Sequence, residues 1–492
     1  MQGLKKLISG ISAALVTVSL CSANAFAIES YEPYSYDRWG DPIASQAGYT
    51  AEYYVTGSDI GSGALSEPSD LFVSHDDLMY IVDKGNSRIV VTDLDFKLVR
   101  IMDKFTLNGE ESNLKKPSGI FVDQYSDKIY IADNENERVI KCDKDGNIEQ
   151  EFRRPESEIY DSSLSYNPSK VIVDKAGNVY VVARSVTRGA IMFDRDGEFI
   201  GFYGANRVEQ TAEVLANAFW NLISTEEQRS RTARSTPIGF TNFDIDDKGF
   251  IYTVTESTVT TTDLVKKLNP EGNNILDSLG IDSQFQFGDR SPTYYSAQAK
   301  NSSLTDIDIG PNGEMNILDF QHGRIFQYDK EAWLLFIMGG TGEQLGTFRS
   351  AAAVESHDNH LYVLDSRKNS VTVFTRTAFG EIVTEATNLY NEGKYEESYE
   401  PWQKVLKYDG NYRRAYIGIG NALFNEREYK EAMKYFKISI SRGRYNKAFE
   451  GYRDQWLKSH FTLIIVIIIV LIVAYIVIKR VLRYYKKRKG GA

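Results

Sequence analysis

Cysteine is nearly missing from this chain, with two in 492 residues. Cys21 lies in an N-terminal apolar stretch, and its removal leaves Cys142 alone, so no internal disulfide can form and stability must come from packed cores. Histidine is also scarce, at five. The chain has no Gly-x-Ser-x-Gly elbow, no phosphate-binding glycine loop and no nucleophile beside an evident base. Positive charge is in deficit, with 57 Lys and Arg against 67 Asp and Glu. Nine of the positive residues stand near the two termini, which leaves about −19 on the segment between them. That balance argues against nucleic acid as a partner and against lying flat on an anionic membrane.

Long apolar runs are confined to the two ends. Lys5 and Lys6, the run from Leu7 to Leu20 and the small-residue site Ala25-Phe26-Ala27 read as a secretory signal cleaved before Ile28. A lipoprotein site at Cys21 fits poorly, because Leu20 stands where a small residue is expected. Phe461 to Ile478 is 18 uncharged residues, about 27 Å as a helix, enough to cross a hydrocarbon core. Seven basic residues follow at Lys479, Arg480, Arg483, Lys486, Lys487, Arg488 and Lys489, and the positive-inside rule holds that end in the cytoplasm. The expectation is a cell-membrane protein, single-pass, with its N-terminal ectodomain outside. Export without disulfides reads as a bacterial envelope protein.

Between the ends a strand, a polar turn and a second strand recur. Lys128-Ile129-Tyr130-Ile131-Ala132-Asp133 followed by Asn136 and Arg138 is the clearest copy, and Tyr80, Tyr130 and Tyr180 are 50 residues apart each time. Further copies open at Phe250, Met315 and Leu361, six in all. A fixed period of this length with several short strands per unit is the signature of a β-propeller. Pro117-Ser118-Gly119-Ile120, Ile129 to Asp133 and Asn136-Glu137-Arg138-Val139 resemble the NHL repeat over roughly residues 51 to 377, with Thr255 departing from the Asp position in the fourth blade. Blade six has three strands of its own, so Tyr53 to Thr56 is expected to supply the fourth and close the ring. Residues before Gly48 read as a mobile lead-in. Two insertions interrupt the ring: one has helical spacing at Val208, Ala212, Leu215, Phe219 and Leu222, and the other holds Phe285, Phe287, Tyr294 and Tyr295. Each reads equally as rim packing or as a binding loop.

From Ala378 the period becomes helical. Two segments offset by 34 residues carry Tyr395 and Trp402 in the first and Gly420, Tyr429, Ala432 and Phe436 in the second. This resembles the tetratricopeptide (TPR) repeat, in which small residues let helices cross closely and aromatics fill the groove. The resemblance implies a docking surface for a membrane or envelope protein partner. The fold class is therefore mainly β, a six-bladed NHL-type propeller followed by a TPR-like helical array and one transmembrane helix. The divisions are 1–27 signal peptide, 28–50 lead-in, 51–377 propeller with insertions 205–235 and 280–302, 378–460 helices, 461–478 span and 479–492 basic tail.

Aligning each blade's first strand on its last apolar residue exposes two columns. Ser69, Ser118, Ser169, Thr241, Thr305 and Ser350 put a hydroxyl in every blade, suited to bonding a backbone group of the turn. One residue on stand Asp70, Gly119, Lys170, Asn242, Asp306 and Ala351, which would line the central channel. Asp70, Lys170, Asn242 and Asp306 are the ligand-binding candidates, for a glycan or peptide; the other reading is a merely hydrated channel. Resemblance to gluconolactonase-type propellers implies a metal-dependent lactonase or hydrolase, with calcium or zinc on Asp70, Asn242 and Asp306. The ammonium of Lys170 opposes that. A zinc site from His75, His322, His357 and His360, as in NHL-type amidating lyases, has no ligand spacing beyond the His357–His360 pair.

Overall fold

The computed structural model describes residues 30–489 apart from 38, 161–162, 206–238, 257–263, 277–286 and 290–301. The signal segment and the helical spacing from Val208 to Leu222 lie outside the described residues, as do Phe285, Tyr294 and Tyr295. The chain is mainly β: six antiparallel sheets form the blades of a propeller, and C-terminal helices follow.

The first three strands of each blade run outward in chain order from an inner strand. The second strands, such as Lys128–Asp133 and Val179–Ala183, are buried almost throughout, because every blade is sandwiched between two neighbours. β-branched and aromatic side chains suit that two-sided burial. At the end of these strands Asp83, Asp133, Asp319 and Asp365 are fully buried. Each accepts a backbone N–H from the loop that leads into its own blade, from Ser66 (2.7 Å), Lys115 (2.7 Å), Ser303 (2.9 Å) and Arg349 (2.7 Å). Arg88 and Arg138 satisfy the remaining oxygens of the first two at 2.7 and 2.8 Å. The Asp thus ties four blades to their incoming chain, with the full Asp-x-x-Asn-x-Arg pattern in blades one and two, which a turn bonded only within itself would not do.

Blade six is Ala351–His357, His360–Asp365 and Ser370–Arg376, and its outer strand is Tyr49–Thr56 from the other end of the chain. The ring closes there, as the sequence predicts. Blade four has three strands among the described residues, with a single bridge from Leu268 to Asn274 beyond the third. The lead-in is not loose. Tyr34–Tyr36 and Pro42–Ala44 pair as a hairpin, Tyr34 donates to Asp289 (2.8 Å), and Arg324 covers its ring at 5.1 Å. Asp289 and Phe287, which packs on Tyr328 at 5.0 Å, belong to the second insertion, so its described part lies on blade five.

Five helices follow: α1 Ala378–Asn391, α2 Tyr395–Tyr408, α3 Arg413–Asn425, α4 Tyr429–Ile438 and α5 Arg442–Lys489. Thr377 caps α1 by accepting from Gly380 N at 3.0 Å. Trp402, Ala432 and Phe436 are buried. A Cβ on Gly418 would lie 2.2 Å from Trp402 and one on Gly420 2.5 Å from Phe436, so α3 touches α2 and α4 through positions that only glycine fits. Tyr395 meets Tyr390 at 5.0 Å, and Tyr429 meets Phe424 at 5.3 Å. One hydrophobic core runs from Phe336, Phe348 and Phe374 of blades five and six into Phe379, Trp402, Tyr412 and Phe436 of the helices. Arg414 reaches back from α3 to Asp329 of blade five, 2.9 Å, with both side chains buried. α5 is the one described helix long and apolar enough to cross a membrane.

Candidate functional site

Residues two apart on a strand share a face, so each inner strand presents successive rows to the channel. Asp70, Gly119, Lys170, Asn242 and Asp306 occupy one row, each opposite the equivalent residue of its second strand. In blade six that place belongs to Ala353, opposite Leu364. Alignment on the last apolar residue puts Ala351 there instead, because it assumes that the strand ends near Val354, whereas it continues to His357. The hydroxyl column shifts with it: Ala352 replaces Ser350, and the column holds in five blades. Four of these hydroxyls bond the backbone: Ser69, Ser118 and Ser169 donate to carbonyls, Ser118 to Pro168 O of the next blade at 2.8 Å, and Thr241 accepts from Glu256 N.

The row is internally bonded. Lys170 Nζ donates to Asp70 Oδ1 at 2.6 Å and lies 3.9 Å from Asp306 Oδ1, while Asn242 Nδ2 donates to Asp306. The second oxygens clamp the neighbouring blade: Asp70 accepts from Ile120 N (2.9 Å) and Asp306 from Val354 N (2.7 Å). Burial alone would lower the Lys170 pKa, but Asp70 and then Asp306 outweigh it and hold the amine as an ammonium. Asp306 is pushed up to about 7, by burial first and by Asp70 as a like charge, against the pull of Lys170. Asp70, Asn242 and Asp306 therefore do come together, but their cation is a lysine and Asn242 turns its N–H, not its oxygen, toward Asp306. That donor set does not suit a divalent metal, which needs converging oxygens.

A second row, two residues further along each strand, has no counterpart in the sequence-based candidates. It reads Phe72, Phe121, Ile172, Asp244, Asp308 and Glu355, opposite Tyr80, Tyr130, Tyr180, Tyr252, Asn316 and Tyr362. Blades one to three give it an apolar half, and Phe72 and Phe121 meet edge to face at 5.3 Å. Blades four to six give it an acidic half. Asp244 accepts from Ile309 N (2.8 Å), Glu355 from Val73 N (3.2 Å) and Asp308 from Asn316 Nδ2 (2.7 Å). Burial raises all three carboxyls: Asp244 to about 7 with help from Asp308, Asp308 to about 6, and Glu355 well above its ordinary value.

Five of its six residues, all but the buried Ile172, line a cavity of about 450 Å³ at the channel mouth. His75 and His357 stand on its rim, each beside a carboxylate, Asp127 at 3.7 Å and Asp77 at 3.1 Å. His322 bonds Asp319 (2.6 Å) in the turn after blade five's second strand, and His360 stacks on Tyr362, so the four histidines do not converge. Among the described residues no three His, Cys, Asp or Glu side chains are placed to hold a metal ion. Asn388 and Asn391 of α1 and Glu392, which follows it, form part of the rim, where Lys330 Nζ donates to Asn391 O at 2.7 Å. The cavity is thus shared between propeller and helices.

Comparison with known proteins assigns no chemistry to this cavity. No family model matches the chain. The Drosophila melanogaster protein brain tumor is 28% identical over 116 residues, 24% of this chain and 11% of that protein's length. Among solved structures, a catalytically inactive virginiamycin B lyase from Staphylococcus aureus with quinupristin aligns over 72% of this chain and 97% of its own at 11% identity, TM-score 0.37. Kuenenia stuttgartiensis hydrazine synthase aligns over 64% and 96% at 12% identity, TM-score 0.39. A Bacteroides thetaiotaomicron structural-genomics protein aligns over 70% and 76% at 11% identity, TM-score 0.40. At these scores the likenesses carry no argument about activity, and the six-bladed ring stands on the strand pairing described above.

Proposed function

We propose that this chain is a single-pass, extracytoplasmic binding and scaffold protein: an NHL-like propeller for recognition, TPR-like helices for docking a membrane or envelope protein, and a basic tail in the cytoplasm. The observation that carries the reading is the continuous core between blades five and six and the helices, from which α5 runs without interruption into the apolar span. Such an arrangement holds a recognition module at a fixed place beside the bilayer. A ligand of saccharide or peptide size fits the cavity volume. A hydrolase is the second reading, favoured by Asp244 and Asp308, whose raised pKa values suit proton transfer near neutral pH.

Site-specific photo-crosslinking in native membranes tests the docking reading. A probe at Ile438 or Phe449, both exposed on the helices, is expected to capture an integral membrane protein, and one at exposed Tyr125 on the propeller is not. No adduct from either helix position would remove the docking role.

A further inference from the structure

We infer that the channel mouth is a binding site for a small organic cation, an ammonium or guanidinium carried on an apolar or aromatic stem. The inference rests on the propeller being a binding module and adds the class of its ligand.

Three independent features converge there. The first is space, a cavity of about 450 Å³ reaching down to the second inner row. Pockets of this size take molecules of drug-like dimensions. The second is the division of that row into an apolar half (Phe72 and Phe121 in the cavity wall, with Ile172 buried) and an acidic half (Asp244, Asp308, Glu355), set by which blades supply which residues. A ligand that satisfies both halves has a charged end and an apolar end. An aromatic edge-to-face pair also offers a ring face to a stem or to a cation.

The third is charge. The two inner rows contain five carboxyls, Asp70, Asp244, Asp306, Asp308 and Glu355, and one ammonium, Lys170. Lys170 is committed to Asp70 and Asp306. Asp244, Asp308 and Glu355 each bond a neutral N–H, and no Lys or Arg of the described residues pairs with them. Three of the four lysines of the rim are engaged elsewhere: Lys330 bonds Asn391 O, Lys267 lies 3.7 Å from Asp246 and over the Tyr252 ring at 4.8 Å, and Lys175 lies over Tyr125 at 5.3 Å; the fourth, Lys248, stands in the turn after Asp246 and pairs with none of the three carboxyls. An incoming ammonium brings three diverging donors to three carboxyls from separate strands. A compact metal ion is less suited, since these carboxyls belong to three blades, are held by their own hydrogen-bond partners and form no metal-holding group among the described residues.

Isothermal titration of the full-length protein in detergent micelles tests the inference. The probes are phenethylammonium, its neutral isostere phenethyl alcohol, and calcium chloride. Phenethylammonium is expected to bind one molecule per chain, with the alcohol at least about tenfold weaker. Asp308→Asn and Glu355→Gln, each isosteric, should weaken the ammonium about tenfold while leaving alcohol binding unchanged; the thermal unfolding curve identifies a variant that has simply failed to fold. Equal binding of alcohol and ammonium, no heat from the ammonium at millimolar concentration, tighter binding of calcium than of the ammonium, or indifference to both variants would each overturn the proposal. Mass spectrometry of the recovered probe separates the two readings: an unchanged mass supports binding alone, and a changed mass keeps the cation site but overturns the binding-module reading beneath it.

Discussion

Replacing Lys170 with methionine keeps most of the side chain's volume and removes the cation of the first channel row. The ammonium is 2.6 Å from Asp70 and 3.9 Å from Asp306, and its side chain is only 12% exposed. At an effective dielectric near 20, a unit pair at the longer distance interacts by about 4 kcal/mol. Removing one member of a buried pair costs about 3–5 kcal/mol, because the partner is left as an uncompensated charge. Protonation of the orphaned carboxyls recovers part of this, so the expected loss is about 3 kcal/mol near pH 8 and smaller near pH 5. The sign follows from Asp306, whose folded pKa of about 7 lies above its ordinary 3.8. Such a group contributes stability that is complete below its unfolded pKa and lost as pH rises through the folded value. The unsubstituted protein should therefore weaken from about pH 5 to about pH 8, and Lys170→Met should weaken more steeply. Urea unfolding in detergent, followed by fluorescence of buried Trp402 and its fellows, measures both. A variant within about 1 kcal/mol of the parent near pH 8, or with equal deficits at the two pH values, would refute the assignment of Lys170 as the channel's counter-ion.

Deleting residues 49–56 strips blade six of its outer strand, and thermal unfolding should then lose its single cooperative transition; an unaltered curve would show that the ring does not depend on this closure. At Gly420 a leucine would drive into Phe436, so Gly420→Leu should destabilise by about 1–3 kcal/mol in urea. Gly443→Ala, where a Cβ meets nothing, is the matched control and should stay within about 1 kcal/mol of the parent.

The propeller was legible because burial on both sides of each blade forces the same β-branched second strand to recur, and a period survives even where single residues vary. The candidate row was legible in five blades for the same reason. It slipped in blade six because an apolar residue marks where burial ends, and there the strand outlasts its burial by three residues, Glu355 to His357. The acidic half of the second row carried a usable signal in Asp306-Ile307-Asp308 and Asn242-Phe243-Asp244, where a polar face continues at period two. What no single strand records is that Phe72 and Phe121 oppose those carboxyls across the channel. That depends on the ring's closure, as does the meeting of Lys170 with Asp70, 100 residues away in sequence. The hairpin of Tyr34–Tyr36 was hidden for a related reason: its partners, Asp289 of the second insertion and Arg324 of blade five, are far away in sequence.

The last helix has a mechanical consequence. Its first residues are seated in the helical core through Ala448 and Gly451, the latter against Tyr429. From Tyr452 to Lys489 the sequence contains neither glycine nor proline, the usual sites of a kink. Only the nine residues from Tyr452 to His460 separate that seat from the apolar stretch, about 14 Å of helix. The propeller is thus mounted like a dial on a short, stiff axle. A load on its rim would tilt or turn the apolar helix as one piece, and the basic residues beyond it would move as the far end of the same lever.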